Sequence, residues 1–456
     1  MTSTIFLALG TNLGDRAENL RRALAALPPA FTVEAVSPVY ETEPMYVTAQ
    51  PKFLNMACRA RTALLPLEAL RALKLVETDL GREPTIRFGP RLIDIDLLFY
   101  GDIVFDSPEL TLPHPRLDER AFALVPLADI APGLVHPVLR QTVSALRDQL
   151  SAQSISSVVK VTTPSRSLTL GSTTFEWGKQ TYLMGIINVT PDSFSGDGLI
   201  HGDEWTAAAV NQAAGQVAAG AHILDVGGES TRPGSQPLPL EEELWRVIPA
   251  VKAIAAAMTA PISIDTYKAE VARQAIEAGA VIVNDVWSLR MDSAMAQVAA
   301  DSGVAVVLMH NRSQPKDAAQ SAQLGGRYVG VEYEELLSDI KRELRESVEL
   351  ALAAGVKPER IIIDPGIGFG KTVEQNLELV DRLGELKDLG YPILVGPSRK
   401  SFVGYTLNLP PDQRVEGTAA AAALCIDRGA DIVRVHDVAA MTRVARIADA
   451  IVRRKK

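Results

Sequence analysis

A repeated order of short apolar runs, polar loops and helical stretches occupies the second part of the chain, and this order constrains the fold most. In its first copy the apolar run 183–187 ends at Asn188, and a helical stretch follows at 205–219. Short apolar runs are typical of strands buried on both faces of a parallel sheet. Eight such runs can be placed, at 183–187, 222–226, 262–264, 281–284, 305–309, 361–363, 393–395 and 432–435. We therefore predict an α/β domain built as a (β/α)8 TIM barrel, whose chemistry lies at the C-terminal ends of the strands.

The first part of the chain has a different order of elements. Strand-like runs at 4–9, 31–40, 53–62 and 93–100 alternate with helical stretches at 18–27 and 67–80. This βαββαβ order is typical of an α+β ferredoxin-like sandwich, which has helices on one face of an antiparallel sheet. Around residue 151 the chain becomes rich in Ser, Thr and Gln, as at a domain boundary. We predict a first domain over 1–155, a linker over 156–178 and the barrel domain over 179–456.

Charge and hydropathy exclude some classes of partner. The net charge is −9, so no overall basic field would attract nucleic acid. No apolar run approaches the ~20 residues that cross a membrane, so we expect no membrane partner. The start, MTSTIFLALG, carries no basic leader, so we expect no signal peptide and a cytoplasmic protein. Cys58 and Cys425 lie in apolar contexts, and we expect buried thiols rather than a disulfide or a metal site.

Two aspartates on one predicted strand form the densest polar feature of the first part. Asp94 and Asp96 are two positions apart, so both carboxylates point to the same face of the strand. Adjacent carboxylates repel each other unless a cation lies between them, and oxygen ligands of this kind suit Mg²⁺. The alternative is a solvated strand face. Apolar residues lie on the opposite face of the strand, at Ile93, Ile95 and Leu97. This alternation of polar and apolar residues favours a metal site over a solvated face.

Basic side chains surround this pair in the sequence, at Arg82, Arg87, Arg91, His114, Arg116 and Arg120. The planar guanidinium group of arginine matches phosphate geometry and stabilises charge on a transferring phosphoryl group. Each of these residues alone is typical of a protein surface. With two aspartates among them they indicate a site for nucleotide phosphates, although no P-loop motif is present in this part of the sequence.

Several motifs of this part resemble the 6-hydroxymethyl-7,8-dihydropterin pyrophosphokinase family. They are GTNLG at 10–14, ETDLGR at 77–82, GPRLIDID at 89–96, LPHP at 112–115 and RAF at 120–122. The resemblance implies transfer of pyrophosphate from ATP to the hydroxymethyl group of a pterin, with two Mg²⁺ ions bound by Asp94 and Asp96. It implies that the nucleotide and its phosphates are bound by Glu77, Arg82, Arg91, His114 and Arg120. It implies a pterin site made by Thr42, Pro44, Phe53, Asn55 and Phe122, where Phe53 replaces a frequent tyrosine, and Phe88 stands where tryptophan is frequent.

Polar residues also follow the predicted barrel strands. They are Asn188, Asp225, Asp265, Asn284, His310, Asp364, the run 398–400, Arg434 and His436. For any one of these residues alone, a structural role is the simplest explanation, and we expect that role for Asp225. Together they are typical of a catalytic face. Asp265, Asn284 and Asp364 are suited to the N–H groups of a heterocycle, and the planar side chain of Arg434 is suited to stack on it.

One further motif, DPGIGFGKT at 364–372, is similar to a P-loop. Only three residues separate Gly366 from Gly370, whereas a P-loop has four, and Pro365 takes the place of its first glycine. We therefore expect a glycine loop that brings backbone close to a ligand, rather than an ATP site.

The barrel part resembles the dihydropteroate synthase family throughout its length. The motifs are NVTPDSFSGDG at 188–198, DVGGESTRPG at 225–234, SIDT at 263–266, ND at 284–285, MH at 309–310, DPGIGFGK at 364–371, SRKSF at 398–402 and RVHD at 434–437. The resemblance implies a pterin site made by Asp265, Asn284, Asp364, Lys400 and Arg434. It implies a pyrophosphate site made by Asn188 with Mg²⁺, Arg434 and His436. It implies a p-aminobenzoate site made by Thr231, Arg232, Phe369 and Ser398, with 192–197 as a lid-like loop.

Together the two resemblances imply a bifunctional transferase of folate biosynthesis. Its partners would be ATP, hydroxymethyl-dihydropterin and p-aminobenzoate, and the product of the first domain would be the substrate of the second. Relatives of such barrels often dimerise, which implies a homodimer through the barrel domain. Two alternatives are a corrinoid-type pterin methyltransferase and a partly inactive protein in which one domain only binds pterin or serves as a scaffold for a dimer.

Overall fold

The chain forms two compact units, Met1–Thr163 and Pro164–Lys456. The structure is a computed structural model that describes residues 2–14, 16–45, 50–82, 89–161, 167–190, 205–230, 237–314, 317–321, 323–329 and 331–454. The division between the units falls inside the predicted linker, 156–178. The two units are called the first unit and the barrel unit below.

The first unit is built on one six-stranded sheet. Its elements are β1 (Ser3–Thr11), α1 (Arg16–Ala26), β2 (Thr32–Val36), β3 (Val39–Thr42), β4 (Phe53–Thr62), α2 (Pro66–Asp79), β5 (Asp94–Tyr100), β6 (Phe105–Asp106), β7 (Thr111–Leu112), α3 (Ala121–Ile130), α4 (Val143–Asp148), α5 (Ala152–Ser156) and β8 (Val159–Val161). The strand order is β5-β1-β4-β3-β8, with β2 also paired to β4, and β1 is antiparallel to both of its neighbours. This is the strand order of the predicted ferredoxin-like sandwich.

The predicted strand 31–40 is wrong in one respect, because the structure divides it into β2 and β3. Pro38 lies between them and has no N–H group with which to continue the ladder. Ser37 joins the break to β4, since its N–H donates to the carbonyl oxygen of Ala57 and its hydroxyl accepts from the Ala57 N–H, both at 2.9 Å.

Helices cover both faces of this sheet, whereas the sequence predicted one covered face. Leu20 of α1 and Leu73 of α2 pack in one core with the apolar side chains of β1, β4 and β5. Leu124 and Leu127 of α3 pack on the other face, against Phe6 and Phe99. The first unit is therefore a three-layer structure with a buried sheet.

The barrel unit contains the predicted eight-stranded parallel sheet. Its elements are β9 (Ser167–Leu170), β10 (Thr173–Glu176), β11 (Tyr182–Asn188), α6 (Trp205–Ala219), β12 (Ile223–Gly227), α7 (Leu240–Ala257), β13 (Ile262–Asp265), α8 (Ala269–Glu277), β14 (Ile282–Asp285), α9 (Met295–Ser302), β15 (Ala305–Met309), β16 (Ala318–Ser321), β17 (Gly325–Tyr328), α10 (Leu336–Ala354), β18 (Ile361–Asp364), α11 (Val373–Asp381), β19 (Leu394–Val395), α12 (Ser401–Leu407), α13 (Val415–Asp427), β20 (Ile432–Val435) and α14 (Val438–Val452). The order is β18-β15-β14-β13-β12-β11-β20-β19, and a parallel bridge between Ile363 and Ile393 closes the ring. The TIM-barrel prediction is confirmed.

A hairpin made by β9 and β10 packs against the N-terminal end of the barrel. Leu168, Leu170 and Phe175 share a buried core with barrel side chains that include Met184 and Ile432. Both ends of the predicted linker are thus folded, since β8 pairs with β3 in the first unit. The predicted domain limits themselves stay predictions.

Two smaller expectations concern cysteine and membranes. Cys58 and Cys425 are buried free thiols, as predicted. Over the described ranges, no helix has both the length and the apolar character needed to cross a membrane.

Two candidate active sites

The first unit contains a cavity of about 350 Å³. Strands β1, β3, β4 and β5, helix α2 and the segment before and after the start of α3 supply its walls. Its lining includes Thr42, Phe53, Asn55, Lys74, Arg82, Arg91, Asp94, Asp96, His114, Arg120 and Phe122. Most of the side chains predicted for this site are therefore gathered around one space.

Asp94 lies between two arginines at the start of β5. Its carboxylate accepts from Arg82 Nη1 at 2.7 Å and from Arg91 Nη1 at 2.6 Å. Burial opposes ionisation, but these guanidinium groups and Lys74 hold the pKa of Asp94 below its usual value. At Asp96, burial reinforced by the charge of Asp94 raises the pKa of the carboxyl group. A cation beside the pair would favour ionisation of both groups.

These two carboxylates fit Mg²⁺ rather than a metal held by protein ligands alone. Among the residues that the structure describes, no group of three His, Cys, Asp or Glu side chains is placed to hold a metal ion. Mg²⁺ is commonly bound by one or two carboxylates together with waters and substrate phosphates. Asp94 and Asp96 line the cavity and supply carboxylate oxygens of the kind that Mg²⁺ binds, and three arginines beside them are suited to the phosphates that would complete its coordination.

Glu77 lies behind the cavity wall and binds side chains that line the cavity. Its side chain is 2% exposed and does not line the cavity. It accepts from Lys74 Nζ at 2.7 Å and from the N–H of Ile95 at 2.6 Å, and it also pairs with Arg82. Lys74 itself lines the cavity with its Nζ 3.9 Å from Asp94, and our sequence reasoning missed it. The available signal was its position three residues before Glu77, on the same face of α2.

The remaining predicted residues form the other walls. His114 Nε2 lies 3.3 Å from Arg120 Nη1, and burial lowers the pKa of the imidazole, so the neutral ring accepts from the guanidinium. Asn55 donates to the hydroxyl of Thr42 at 2.8 Å. Pro44 is buried two residues further on and does not line the cavity. Phe88 and Arg87 lie outside the described residues.

In the barrel unit, the C-terminal ends of the strands hold a second cluster around Arg434. Its Nε donates to Asp225 and its Nη2 donates to Asp265, each at 2.6 Å. Asn284 also donates to Asp225, at 3.2 Å. Asp225 is fully buried and accepts from both Arg434 and Asn284, which agrees with the expected structural role. Burial raises the pKa of Asp265, although Arg434 opposes the shift.

Asp364, Phe369 and Lys400 lie beside this cluster on the loops after β18 and β19. Asp364 accepts from the N–H of Gly366 at 2.7 Å, and burial raises the pKa of its carboxyl group to about 6. The Nζ of Lys400 lies 4.0 Å from the centre of the Phe369 ring. A cation over an aromatic face is a favourable arrangement, so the two loops are held together at these side chains.

The glycine loop 364–372 packs against protein rather than presenting its backbone to open space. A Cβ atom at Gly368 would lie 2.8 Å from Cδ of Lys400, and one at Gly370 would lie 2.5 Å from the Arg312 carbonyl carbon. The Lys371 side chain is buried among protein acceptors. The structure therefore supports the rejection of a P-loop, and the close approach that the glycines permit is to neighbouring segments.

The other predicted barrel residues lie at the same end. Ser398 Oγ is 3.0 Å from His436 Nδ1, which links the ends of β19 and β20. Asn188 ends β11 and pairs with Gly227. Thr231, Arg232 and the predicted lid 192–197 lie outside the described residues.

Comparisons with known families and proteins agree with both resemblances. The family described as 7,8-dihydro-6-hydroxymethylpterin-pyrophosphokinase matches residues 6–132, and the family described as pterin binding enzyme matches residues 184–436. The chain is 48% identical to a solved dihydropteroate synthase from Clostridium difficile, crystallised in the presence of pteroic acid. That match has a TM-score of 0.56 and covers 61% of this chain and 100% of the other.

Two curated relatives match nearly the whole chain. The folic acid synthesis protein of Schizosaccharomyces pombe is 40% identical over 456 residues, and the alignment covers 98% of this chain but only 59% of that protein. The mitochondrial folate synthesis bifunctional protein of Pisum sativum is 37% identical over 481 residues, covering 99% of this chain and 90% of that protein. The chain therefore belongs to the family of bifunctional folate synthesis proteins, with a hydroxymethylpterin pyrophosphokinase region followed by a pterin-binding region.

Proposed function

We propose that this chain catalyses two consecutive transferase reactions. The first is ATP-dependent pyrophosphorylation of 6-hydroxymethyl-7,8-dihydropterin, and the second is condensation of the pterin pyrophosphate with p-aminobenzoate to give 7,8-dihydropteroate and pyrophosphate. The observation that carries the proposal is the pairing of a carboxylate–arginine cavity in one unit with a carboxylate–amide–arginine cluster at the strand ends of the other.

In the first reaction the hydroxymethyl oxygen attacks the β-phosphorus of ATP, and the bond from that phosphorus to the α-phosphate oxygen breaks. Negative charge develops on the departing AMP and remains on the transferred group. Arg82 and Arg91, which pair with Asp94, and Arg120 beside His114 would bind this charge. Asp94 and Asp96 would hold Mg²⁺, which neutralises phosphate charge when bound. Phe53, Phe122 and Asn55 offer aromatic faces and an amide to a flat heterocycle.

In the second reaction the bond between the pterin methylene carbon and the pyrophosphate oxygen breaks, and the amine nitrogen of p-aminobenzoate forms the new bond. The electron pair leaves with the pyrophosphate, so positive charge develops on the pterin. Asp265, Asn284 and Asp364 offer acceptors for the N–H groups of the ring and negative charge near it. Arg434, His436 and Asn188 would bind the leaving group, with Mg²⁺ held at Asn188, and Ser398 and Phe369 would contact p-aminobenzoate.

The test uses one preparation of the full chain with hydroxymethyl-dihydropterin, Mg-ATP and p-aminobenzoate, following AMP and dihydropteroate together. We expect both products from the wild type. Asp96→Ala should abolish AMP formation but still make dihydropteroate when pterin pyrophosphate is supplied. Asn284→Ala should release AMP and make little dihydropteroate. The exposed Asp106→Ala, on β6, is the matched aspartate control.

Each outcome separates the two halves of the proposal. Wild-type rates of AMP release in Asp96→Ala would remove the metal assignment. AMP without dihydropteroate from the wild type would leave the first reaction standing and reject the second. Absence of both products would reject the proposal.

We also propose that the chain forms a homodimer through its barrel unit. Exposed apolar side chains on adjacent helices support it, namely Leu424 on α13 and Ile447 and Ile451 on α14. The segment 419–424 is divided, because Ala421 and Ala422 pack in the core while Leu424 is exposed. Light scattering of the full chain would give the mass, and a monomer at micromolar concentration would reject the dimer. The cytoplasmic location stays a prediction, and the Pisum sativum relative is named as mitochondrial.

A further inference from the structure

Lys371 is a buried lysine whose hydrogen bonds are all made to protein. It is 2% exposed, on the loop between β18 and α11. Its Nζ lies 3.0 Å from His310 Nδ1, 3.0 Å from the carbonyl oxygen of Gly366 and 3.1 Å from that of Phe369. An ammonium group has three N–H donors and no acceptor. Three acceptors at these distances therefore use the full hydrogen-bonding capacity of the side chain.

A second layer fixes the orientation of His310. Its Nε2 faces Oε2 of Glu343 at 3.1 Å, and Glu343 also accepts from Arg312 Nε at 2.9 Å. Burial keeps the pKa of His310 far below its usual value, so the ring is neutral. With the ring proton on Nε2, on the side of Glu343, Nδ1 is left as the acceptor for Lys371.

The backbone that Lys371 holds has little room to move. A methyl group at Gly366 would overlap the carbonyl oxygen of His310, and one at Gly370 would lie 2.5 Å from the carbonyl carbon of Arg312. The hydroxyl of Tyr333 donates to the carbonyl oxygen of Gly370 at 2.8 Å. The loop from Gly366 to Gly370 is therefore fixed at three carbonyl groups, two of them by Lys371.

Phe369 lies within this fixed stretch, and its ring packs under Lys400. The distance from Lys400 Nζ to the ring centre is 4.0 Å. A shift of the Phe369 carbonyl would move the ring, and Lys400 would lose the surface on which it lies. Asp364, the last residue of β18, would also be disturbed, because its carboxylate accepts from the N–H of Gly366.

We propose that Lys371 is a positioning residue for the barrel reaction, which holds the Phe369 ring where the aromatic amine binds and thereby sets the place of Lys400. It touches no substrate in this account. The proposal rests on the proposed function of the barrel, because it assigns to Lys371 the geometry of the p-aminobenzoate side of that site. It makes the loop an internal support rather than an anion site.

The test compares Lys371→Met with Lys341→Met in the full chain. Methionine keeps the apolar stem and removes the three donors. Lys341, on α10, pairs with Glu385 and Asp388 and is the matched control. For Lys371→Met we expect the KM for p-aminobenzoate to rise about tenfold or more, since misplacement of a substrate by about 1 Å can cost ~100-fold. The KM for pterin pyrophosphate should rise less than that for p-aminobenzoate, because Lys400 and Asp364 are disturbed while Asp265, Asn284 and Arg434 keep their places, and Lys341→Met should match the wild type.

A milder pair of variants keeps the test valid if Lys371→Met does not fold. Tyr333→Phe removes the bond to Gly370, and Tyr100→Phe removes a bond of the same kind, from Tyr100 Oη to the carbonyl oxygen of Leu64, in the first unit. We expect the KM for p-aminobenzoate to rise about threefold in Tyr333→Phe and to stay unchanged in Tyr100→Phe. Equal loss for both substrates, or no loss in either loop variant, would overturn the proposal.

A readout without turnover separates this proposal from the proposed function. Crystal structures of wild type and Lys371→Met should differ at Phe369, with the ring displaced from Lys400 in the variant. An undisplaced ring would overturn the positioning role. A wild type that makes no dihydropteroate would reject the proposed function, and the comparison of the two structures would still decide whether Lys371 holds the loop.

Discussion

At the residue scale, Asp364 is a titratable group within the proposed pterin site. Burial raises the pKa of its carboxyl group to about 6, while the Gly366 N–H, Lys400 and Lys371 oppose the shift. In the unfolded chain the group would ionise near pH ~4. Between these values the folded state binds more protons than the unfolded state, so stability from this group falls as the pH rises from about 4 to about 6. Above that range the cost of the buried charge is constant.

Ligand binding should depend on pH in the opposite direction. A pterin offers N–H donors, which the ionised carboxylate accepts and the protonated one accepts poorly. We therefore expect the affinity for 6-hydroxymethylpterin to fall as the pH decreases through about 6. Calorimetric titration of a fragment of residues 164–456, which lacks the proposed pterin cavity of the first unit, would measure it between about pH 5 and 8. Asp364→Asn should bind weakly and lose the transition at about pH 6, whereas the raised pKa of Asp265, about 7, should still give a transition at higher pH. An unchanged transition at about pH 6 in that variant would contradict the assignment to Asp364.

Much of the candidate sites could be predicted from residue type and place. Paired aspartates on a strand and polar residues after apolar runs are local patterns, and the structure gathers most of them. Lys74 was missed, and the partners of Asp225 were not predicted, because these contacts are to residues distant in sequence or on a neighbouring strand. Arg434, which Asp225 binds, is 209 residues away along the chain. Periodicity gives the element on which a residue lies but not which side chain it meets.

At the element scale, the barrel strands were predictable because each is a short apolar run that ends at a polar residue. The elements that the sequence did not give are those decided by packing. The break between β2 and β3 reflects the missing N–H of Pro38, and α3 covers the sheet because Phe6 and Phe99 leave an apolar face there. The segments around β9 and β10 were predicted as part of the linker, because their apolar side chains become buried only by packing against the barrel.

Two glycines share one backbone conformation, but only one of them lies in the glycine loop after β18. Comparing them separates the effect of backbone strain from the effect of a contact with the site. Gly368 has φ +82 and a Cβ atom there would meet Lys400, whereas Gly178 has φ +83 and a Cβ atom there would meet no described atom within 4 Å. Alanine at either position should destabilise the fold by about 1 kcal/mol, because side chains disfavour this backbone region. Gly368→Ala should also reduce dihydropteroate formation by about tenfold or more through displacement of Lys400.

Thermal unfolding and steady-state rates of the two alanine variants would measure both effects. AMP release by the first unit should be unchanged in each. Equal rates of dihydropteroate formation would show that the contact with Lys400 does not matter to the reaction. A much larger loss of stability in Gly178→Ala than in Gly368→Ala would contradict the common origin of the strain.

At the scale of the whole molecule, the chain divides into two compact units between residues 163 and 164. This division keeps β8 with the first sheet and the hairpin of β9 and β10 with the barrel. The predicted barrel domain, which begins at residue 179, would lack that hairpin. Leu168, Leu170 and Phe175 are each at most 3% exposed, so their loss would uncover a substantial part of the core.

We expect a fragment of residues 164–456 to be more stable than a fragment of residues 179–456. Full burial of one large apolar side chain contributes about 1.5–3 kcal/mol. Losing three should lower the unfolding temperature by roughly 10 °C or more. Calorimetry on the two purified fragments would test this. Equal unfolding temperatures would contradict the packing role of the hairpin and support the later boundary.

The hairpin beneath the barrel also has a kinetic consequence. Its side chains Leu168, Leu170 and Phe175 fill the end of the barrel opposite to Asp364 and Arg434. The proposed reactants and products of the barrel reaction would then enter and leave at the end formed by the C-terminal ends of the strands. A substrate bound deeper at this end would have to bind before one bound nearer to solvent, and would leave after it. With a single entrance, the fold itself sets the order in which substrates bind and products leave. A product that has not left would then block the next turnover.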